Sequence, residues 1–355
     1  MSQPLPIKFS KPPAIPRDSL ILITGVNGLI GSHVADQALA AGYRVRGTVR
    51  SKERCAWLEP LFASRHADSA DRFELVEVPV LAAEGAWDDA LLGVAGVVSV
   101  ATSTGMRVTD VDKEVQESVA EYINLFAAAK AQPGVKAVVF TSSAWAAWIP
   151  EPNVATVVNE QSYNDRAVQI AADETLSPQE KGLAPFMTIK ARVEKAVWDW
   201  VEREKPVYAF NSLLLDTVIG PILDPKNQPA STAGMVRSLY RGENLGLLGM
   251  IKPQWFIDAR DAGRLYLAAL TTGVTGWRVY GCAQRYSWAA ILEILKSLYP
   301  EKKDFVNLPD AGWDHTDIQS DKHELLLRVA GQAEWTSLEQ SVRDTAESFL
   351  SRGSS

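Results

Sequence analysis

The sequence has 355 residues, of which 46% are hydrophobic and 22% are charged, and its formal net charge is -7. This composition is typical of a globular chain large enough for one big domain or two lobes. The acidic balance, without any basic run, argues against a nucleic-acid partner. The apolar stretches fall short of the roughly 18 residues that a transmembrane helix needs, so we expect no membrane partner.

The cysteines and the N-terminus place limits on the kind of protein. Cys55 and Cys282 are far apart and belong to no metal-ligand spacing, which predicts no metal site and a reducing, cytoplasmic setting. Residues 1–17 are rich in proline and lack the apolar core of a signal peptide. We interpret them as an extended arm.

A strand, a glycine turn and a helix follow the arm. The apolar run at 20–23 predicts a buried strand, and a helical pattern begins near Val34. Three glycines lie between them and permit a sharp turn, a close backbone approach to a pyrophosphate and tight packing of helix on strand. The N-terminus of that helix would present N–H groups to the phosphates. The pattern predicts a dinucleotide site, against the alternative of a tight turn without a ligand, and its contact residues are Gly25, Asn27, Gly28, Leu29, Ile30 and Gly31.

The second strand indicates which dinucleotide. Residues 43–49 form an alternating strand that ends at Arg50. The end of this strand lies beside the adenosine ribose in such folds, where an arginine favours the 2′-phosphate of NADP over NAD. The alternative is a solvated surface arginine.

Strands and helices alternate along the rest of the chain. This alternation predicts an α/β fold with a Rossmann-type, doubly wound parallel sheet. We expect a dinucleotide-binding domain at 18–215 that also receives about 256–284, and a smaller substrate-binding lobe from 216–255 and 285–355. The predicted strands are 73–78, 96–101, 135–141, 207–214 and 277–281, and the predicted helices are 51–64, 112–131, 186–204, 287–298 and 338–350.

The fifth strand ends in a run of hydroxyls at 141–143, and ligands in such folds sit beyond the carboxyl ends of the strands. Trp145 and Trp148 follow at once and predict an apolar or aromatic pocket, with core packing as the alternative. The polar, proline-containing segment 151–181 is expected to be a loop-rich flap over that pocket.

Three motifs together resemble those of a known family. They are T-G-x-x-G-x-x-G after the first strand, F-T-S-S-A after the fifth, and K-A-R-x-E-K-A-x-W in the helix at 186–204. They resemble the extended short-chain dehydrogenase/reductases, which are like the NAD-dependent epimerases and dehydratases. Within these they are most similar to fungal NADPH-dependent aldehyde and ketone reductases and plant dihydroflavonol reductases. The likeness runs over roughly residues 19–350.

The resemblance implies a serine, a tyrosine and a lysine as catalytic groups. The serine falls on Ser143, and the lysine on Lys190, which in the family also holds the nicotinamide ribose. The tyrosine position, four residues before the lysine, is Phe186. A phenyl ring has no proton to exchange, so the family's proton donor is missing. Nothing in the sequence identifies a substitute.

Other departures from the family lie around the same cofactor. Val80 stands where an aspartate near the adenine is usual, and the usual glycine–threonine pair of the long helix is Glu121-Tyr122. The expected cofactor contacts beyond the glycine turn are Arg50, Ala101 and Lys190. The expected substrate pocket consists of Trp145, Trp148, Phe186, Leu215 and Asp216, of which the last two replace the family's proline and small polar residue after the sixth strand.

Three functions are compatible with these residues. The favoured hypothesis is an enzyme for a small apolar or aromatic metabolite that runs isomerisation, dehydration or cyclisation. In it Ser143 holds an oxygen, Lys190 is an electrostatic stabiliser or a base, and any bound NADP is structural. The alternatives are an NADPH-dependent aldehyde or ketone reductase with a substitute proton donor, and a non-catalytic dinucleotide-binding protein. The oligomeric state is expected to be a monomer or a homodimer.

Overall fold

The computed structural model describes residues 12–66, 71–103 and 105–350, so most of the predicted arm lies outside the described residues. The helices and strands alternate along the chain as the sequence predicts. In order they are β1 (Leu20–Thr24), α1 (Leu29–Ala40), β2 (Arg44–Val49), α2 (Lys52–Cys55), α3 (Leu58–Arg65), β3 (Phe73–Glu77), β4 (Val94–Ser99), α4 (Val111–Lys130), β5 (Ala137–Ser143), β6 (Ala155–Val158), α5 (Asp165–Ala172), α6 (Pro178–Lys181), α7 (Ala184–Glu204), β7 (Ala209–Leu215), β8 (Thr217–Ile219), α8 (Ala233–Arg241), α9 (Leu245–Met250), β9 (Gln254–Asp258), α10 (Ala259–Thr271), β10 (Trp277–Gly281), β11 (Gln284–Tyr286), α11 (Trp288–Leu298), β12 (His315–Ile318), α12 (Lys322–Val329) and α13 (Leu338–Leu350).

A parallel sheet of seven strands forms the centre of the fold. Its strand order is β10-β7-β5-β4-β1-β2-β3, and all neighbouring pairs are parallel. Each of these strands was predicted from the sequence. The central strands are apolar on both sides because helices cover both faces, as is usual for parallel sheets. The prediction of a Rossmann-type doubly wound fold is therefore confirmed.

Two separate apolar clusters lie on the two faces of this sheet. On one face α1 packs against α10, and the cluster includes Ile21, Ile23 and Leu213. On the other face α4 packs against α7, and the cluster includes Leu22 and Phe210. The alternation of Ile21, Leu22 and Ile23 between the two clusters follows from the two-residue period of a strand. The sheet is thus fixed from both sides, and its carboxyl edge is held in place.

The structure departs from the predicted elements at three places. The single helix expected at 51–64 is two helices, α2 and α3, and Trp57 packs on the core at the break. The expected flap at 151–181 contains β6, α5 and α6, and β6 pairs in parallel with β12. The irregular stretch at 216–255 contains β8, α8 and α9, and β8 joins a small sheet of order β11-β9-β8. These elements are three to nine residues long, too short to show a clear period in the sequence. Among the described helices, none combines the length and the apolar character needed to cross a membrane.

A buried ion pair connects α7 to the edge strand β10. The guanidinium of Arg278 donates to Glu194 through Nε at 3.1 Å and Nη2 at 2.8 Å, and Ser212 Oγ donates to the same carboxylate at 3.0 Å. Arg278 Nη1 also donates to the carbonyl of Ser162 at 2.9 Å, which fixes the segment before α5. Glu194 is fully buried. The pair therefore holds β10, α7 and the segment before α5 together.

We expect Glu194→Gln to lower the free energy of unfolding by about 3–5 kcal/mol, because it leaves the buried Arg278 guanidinium without its counter-charge. Urea denaturation of the two proteins measures the difference. Lys195→Gln, at the exposed neighbouring position, is the control and should change stability by less than about 0.5 kcal/mol. Equal effects of the two substitutions would contradict a structural role for the ion pair.

Candidate active site

The glycine turn after β1 leaves no room for a side chain at Gly31 and holds Gly25 in a conformation that favours glycine. Gly25 has a φ of +65°, and its N–H donates to the carbonyl of Thr48 on β2 at 3.0 Å. A Cβ at Gly31 would lie 2.9 Å from the carbonyl carbon of Gly25 and 3.0 Å from the Cα of Val26. Helix α1 therefore begins directly behind the turn. Its first turn carries no acidic residue, so its N-terminus can accept an anion.

A buried glutamine that the sequence did not reveal supports this turn. Gln228 Nε2 donates to the carbonyl of Gly28 at 3.1 Å and to Ser32 Oγ at 2.6 Å, while its oxygen accepts from the N–H of Leu223 at 2.8 Å. It comes from the irregular stretch after β8, about 200 positions away. An isolated glutamine in a loop has no local signature, so only the fold identifies it.

Two of the remaining predicted cofactor contacts lie at the same edge of the sheet. Thr24 Oγ1 accepts from the N–H groups of Val100 and Ala101, both at 2.9 Å, and Ala101 lies directly against Gly25. Arg50 follows β2, the neighbour of β1, and its side chain is exposed. Within the described part of the chain, Arg50 takes part in no ion pair. It is thus available to a ligand anion at this edge.

The structure brings Ser143, Trp145, Phe186 and Lys190 together. Ser143 ends β5, and its Oγ accepts from the N–H of Trp145 at 3.2 Å. The Trp145 and Phe186 rings meet edge to face, with centroids 5.9 Å apart. The ammonium of Lys190, one turn further along α7, lies 5.1 Å from the centre of the Phe186 ring. The phenyl ring therefore lies between the tryptophan and the lysine.

Lys190 is half-buried, and within the described residues it forms no ion pair. Burial lowers the pKa of Lys190 to about 8. A small cavity adjoins it, and Ser142 Oγ there is buried with no hydrogen-bond partner among the described residues. The polar side chains that line the cavity are those of Thr102, Ser118, Tyr122, Thr141, Ser142 and Lys190.

Two residues of the expected pocket lie in packed core. Trp148 is 3% exposed, and its ring centre is 5.8 Å from that of Tyr280. Leu215 is 4% exposed, and a Cβ on the neighbouring Gly281 would lie 3.3 Å from its Cα. Trp148 thus packs in the core, which was the alternative to a role in the pocket. The structure shows no contact of Trp148 or Leu215 with Phe186 or Lys190 among the described residues.

Asp216 is joined to the site by a chain of hydrogen bonds. Trp145 Nε1 donates to Gln254 Oε1 at 2.6 Å, and Gln254 Nε2 donates to Thr217 Oγ1 at 3.1 Å. The N–H of Thr217 donates to Asp216 Oδ1 at 2.7 Å. Burial, with a smaller contribution from the charge of Asp314, raises the pKa of Asp216 to about 8. Gln254 is fully buried, and its role in this chain of hydrogen bonds could not be predicted from the sequence.

No group of three histidine, cysteine, aspartate or glutamate side chains within the described ranges is arranged to hold a metal ion. The site therefore consists of two parts along one sheet edge. One is a glycine cradle at the N-terminus of α1, and the other is a group of a hydroxyl, an amine and a carboxyl beside aromatic rings.

Comparison with known proteins gives relatives along nearly the whole chain. The chain is 34% identical over 332 residues to aldehyde reductase 2 of Sporidiobolus salmonicolor, covering 93% of this chain and 96% of that protein. It is 32% identical over 336 residues to the NAD-dependent epimerase/dehydratase terH of Aspergillus terreus, covering 94% and 98%.

Solved structures show the same fold at lower identity. Gre2 of Candida albicans in complex with NADPH superimposes with a TM-score of 0.77 at 22% identity, covering 94% of this chain and 99% of that chain. Vestitone reductase of alfalfa gives a TM-score of 0.71 at 18% identity, with the same coverage.

A family model described as the NAD dependent epimerase/dehydratase family matches residues 21–281. This range includes the glycine turn, Ser143, Lys190 and all of the seven-stranded sheet except Leu20. The chain therefore belongs to the NAD dependent epimerase/dehydratase family of enzymes, within the extended short-chain dehydrogenases/reductases.

Proposed function

We propose that this enzyme holds NADP(H) at the glycine turn and acts on a carbonyl group of a small apolar or aromatic metabolite by proton transfer without net redox change. Isomerisation, dehydration and cyclisation are the reaction types that this chemistry allows. The observation that carries the proposal is Phe186, whose ring lies 5.1 Å from the Lys190 ammonium where the family has a phenol. The glycine turn and the aromatic rings lie along the same edge of the sheet. We expect the dinucleotide-binding domain to meet the substrate lobe at this edge.

The residues present fit a nicotinamide dinucleotide. The glycine cradle admits a pyrophosphate against the N-terminus of α1, and the exposed Arg50 at the end of β2 suits a 2′-phosphate. The structure of Gre2 from Candida albicans in complex with NADPH supports the same choice. When bound, this cofactor would supply a hydride donor or acceptor to the site. In the proposed reaction it serves as a wall of the pocket.

Ser143 and Lys190 have different roles in the proposed reaction. The Ser143 Oγ accepts one hydrogen bond, from the Trp145 N–H, which leaves its own O–H to donate to a substrate oxygen. With the pKa of Lys190 at about 8, about a tenth of its amine is neutral at pH 7, against roughly one part in three thousand for an ordinary lysine. A neutral amine takes a proton from a carbon next to the carbonyl, and Ser143 stabilises the oxygen that gains charge.

The second candidate is an NADPH-dependent carbonyl reductase, which the names of the relatives favour. Aldehyde reductase 2 and the ketoreductase adrE of Penicillium roqueforti, at 33% identity, are both described as reductases. This function needs a proton donor other than residue 186.

The Arg50 guanidinium is expected to distinguish NADPH from NADH. Arg50→Glu should weaken NADPH binding by about tenfold or more and leave NADH binding nearly unchanged, because a charge-assisted hydrogen bond to the 2′-phosphate is lost. Titration followed by nicotinamide fluorescence measures both affinities. Arg54→Glu, an equal charge change on the exposed face of α2, is the control. Equal weakening of both dinucleotides would show that Arg50 does not contact the phosphate.

Phe186→Tyr tests the reaction type. We use 4-phenyl-2-butanone, an apolar aromatic ketone, as the probe, and NMR in D2O to follow exchange of the hydrogens beside its carbonyl. The wild type should catalyse exchange without stoichiometric consumption of NADPH, and Phe186→Tyr should consume NADPH about 10²-fold faster than the wild-type background, since it restores a phenolic acid beside Lys190. Phe186→Leu, which adds no hydroxyl, is the control. Stoichiometric consumption of NADPH by the wild type would establish the reductase function instead.

The rate at which the wild type exchanges the hydrogens beside the carbonyl of the probe should fall as the pH is lowered below about 8. The working form of Lys190 is the neutral amine, and lowering the pH through its pKa converts that amine to ammonium. Lys190→Arg keeps a cation at the position without a usable base and should abolish exchange while NADPH still binds. A rate that is independent of pH between 6 and 8 would exclude Lys190 as the base.

A further inference from the structure

Asp216 follows β7 at the edge of the sheet where the substrate oxygen is expected. Ser143 on β5 pairs with Leu215 on β7, and neighbouring strands are about 4.8 Å apart. Asp216 is the next residue after Leu215, so its backbone is adjacent to that of Ser143. Asp216 is half-buried.

Groups that would keep the Asp216 carboxyl ionised are few. Oδ1 accepts from the N–H of Thr217 at 2.7 Å, and Oδ2 accepts from the N–H of Trp255 at 3.3 Å. No lysine, arginine or histidine in the described ranges forms an ion pair with it. The Arg285 guanidinium lies 4.3 Å from the centre of the Trp255 ring and is directed to Asp314 at 3.6 Å.

The other titratable groups around Asp216 are acidic or neutral. Asp314 is buried and adds negative charge, and the Cys282 thiol is buried beside both carboxyls. Tyr286 is joined through Thr217, whose hydroxyl is 2.9 Å from the phenol oxygen. Burial and the charge of Asp314 raise the pKa of Asp216 to about 8, so this carboxyl carries its proton at neutral pH.

Tyr122 is the competing proton donor near Lys190. It lines the cavity beside Lys190, but its ring is 6% exposed and packs on Phe140. Burial raises the pKa of Tyr122 to about 12. An acid works best when its pKa is near the working pH, so the carboxyl is the better match. Asp216 is also joined to the Trp145–Phe186 pair through Thr217 and Gln254.

We propose that Asp216 is the proton donor that replaces the missing tyrosine and that it protonates the substrate oxygen held by Ser143. The inference rests on the proposed function. In the exchange reaction a C–H bond breaks and its proton goes to the Lys190 amine, while the Asp216 O–H bond breaks and its proton goes to the carbonyl oxygen. The products are an enol, an ammonium and a carboxylate. Reversal returns the ketone and both starting forms.

The test is Asp216→Asn, assayed by exchange of 4-phenyl-2-butanone in D2O. An amide cannot donate the proton, so we expect the rate to fall about 10²-fold or more with NADPH affinity unchanged.

The wild-type rate should fall above pH 8 as Asp216 ionises, and this alkaline fall should be absent in Asp216→Asn. Asp216→Glu, which keeps an acid, should recover part of the rate. Asp314→Asn removes the neighbouring charge and should move the alkaline fall to lower pH, whereas Asp317→Asn, an exposed acid on β12, should change nothing.

Further variants separate this inference from the proposed function. If Lys190→Arg abolishes exchange and Asp216→Asn does not, the function stands and the donor is wrong. A 10²-fold loss in Tyr122→Phe, without one in Asp216→Asn, would identify the phenol as the donor. Phe186→Tyr supplies a new acid, so adding Asp216→Asn to this variant should leave its NADPH-dependent reduction unchanged.

A measurement without turnover completes the test. Carbon NMR of the carboxyl must show Asp216 protonated at pH 7, and an ionised carboxyl overturns the proposal.

Discussion

The close packing of helix α1 on strand β1 is the constraint on which the rest of the site depends. Because a side chain at Gly31 would collide with the backbone of Gly25, α1 packs directly behind the turn and begins at Leu29, five residues after the end of β1. Gln228 fixes the same turn from the far side through Gly28 and Ser32. The cradle is therefore set by packing within the protein, and a dinucleotide would meet a site that already has its shape.

The two ends of the site have different chemical characters. At the α1 end, glycines and backbone N–H groups present a fixed positive field. At the α7 end, Lys190 and Asp216 both have a pKa displaced toward 8, the lysine from above and the aspartate from below. Such convergence keeps one group a usable base and the other a usable acid over the same pH range. It also avoids burying two full charges without partners, which would cost several kcal/mol for each ion.

The sequence predicted the parts whose signals are local. The seven sheet strands follow from apolar runs, and the glycine turn and the α7 positions follow from spacing. Short elements such as β6 and α9 have too few residues to show a period. The polar residues that complete the site were out of reach for another reason. Gln228 and Gln254 acquire their partners only through the fold, and the proton affinity of Asp216 depends on Asp314, about a hundred positions away.

The parallel pairing of β6 with β12 has a consequence for how the chain reaches its final form. Ala155 and His315 are paired across 160 positions, so β6 stays without its partner until most of the protein has been synthesised. The segment between the pair includes β7 and β10, which can join the sheet earlier, and α7, which can pack on it. Contacts between residues so far apart in the sequence are slow to form. Until they form, the unpaired strand exposes its N–H and C=O groups. A chain shortened before residue 315 would leave this edge open permanently and favour aggregation at β6.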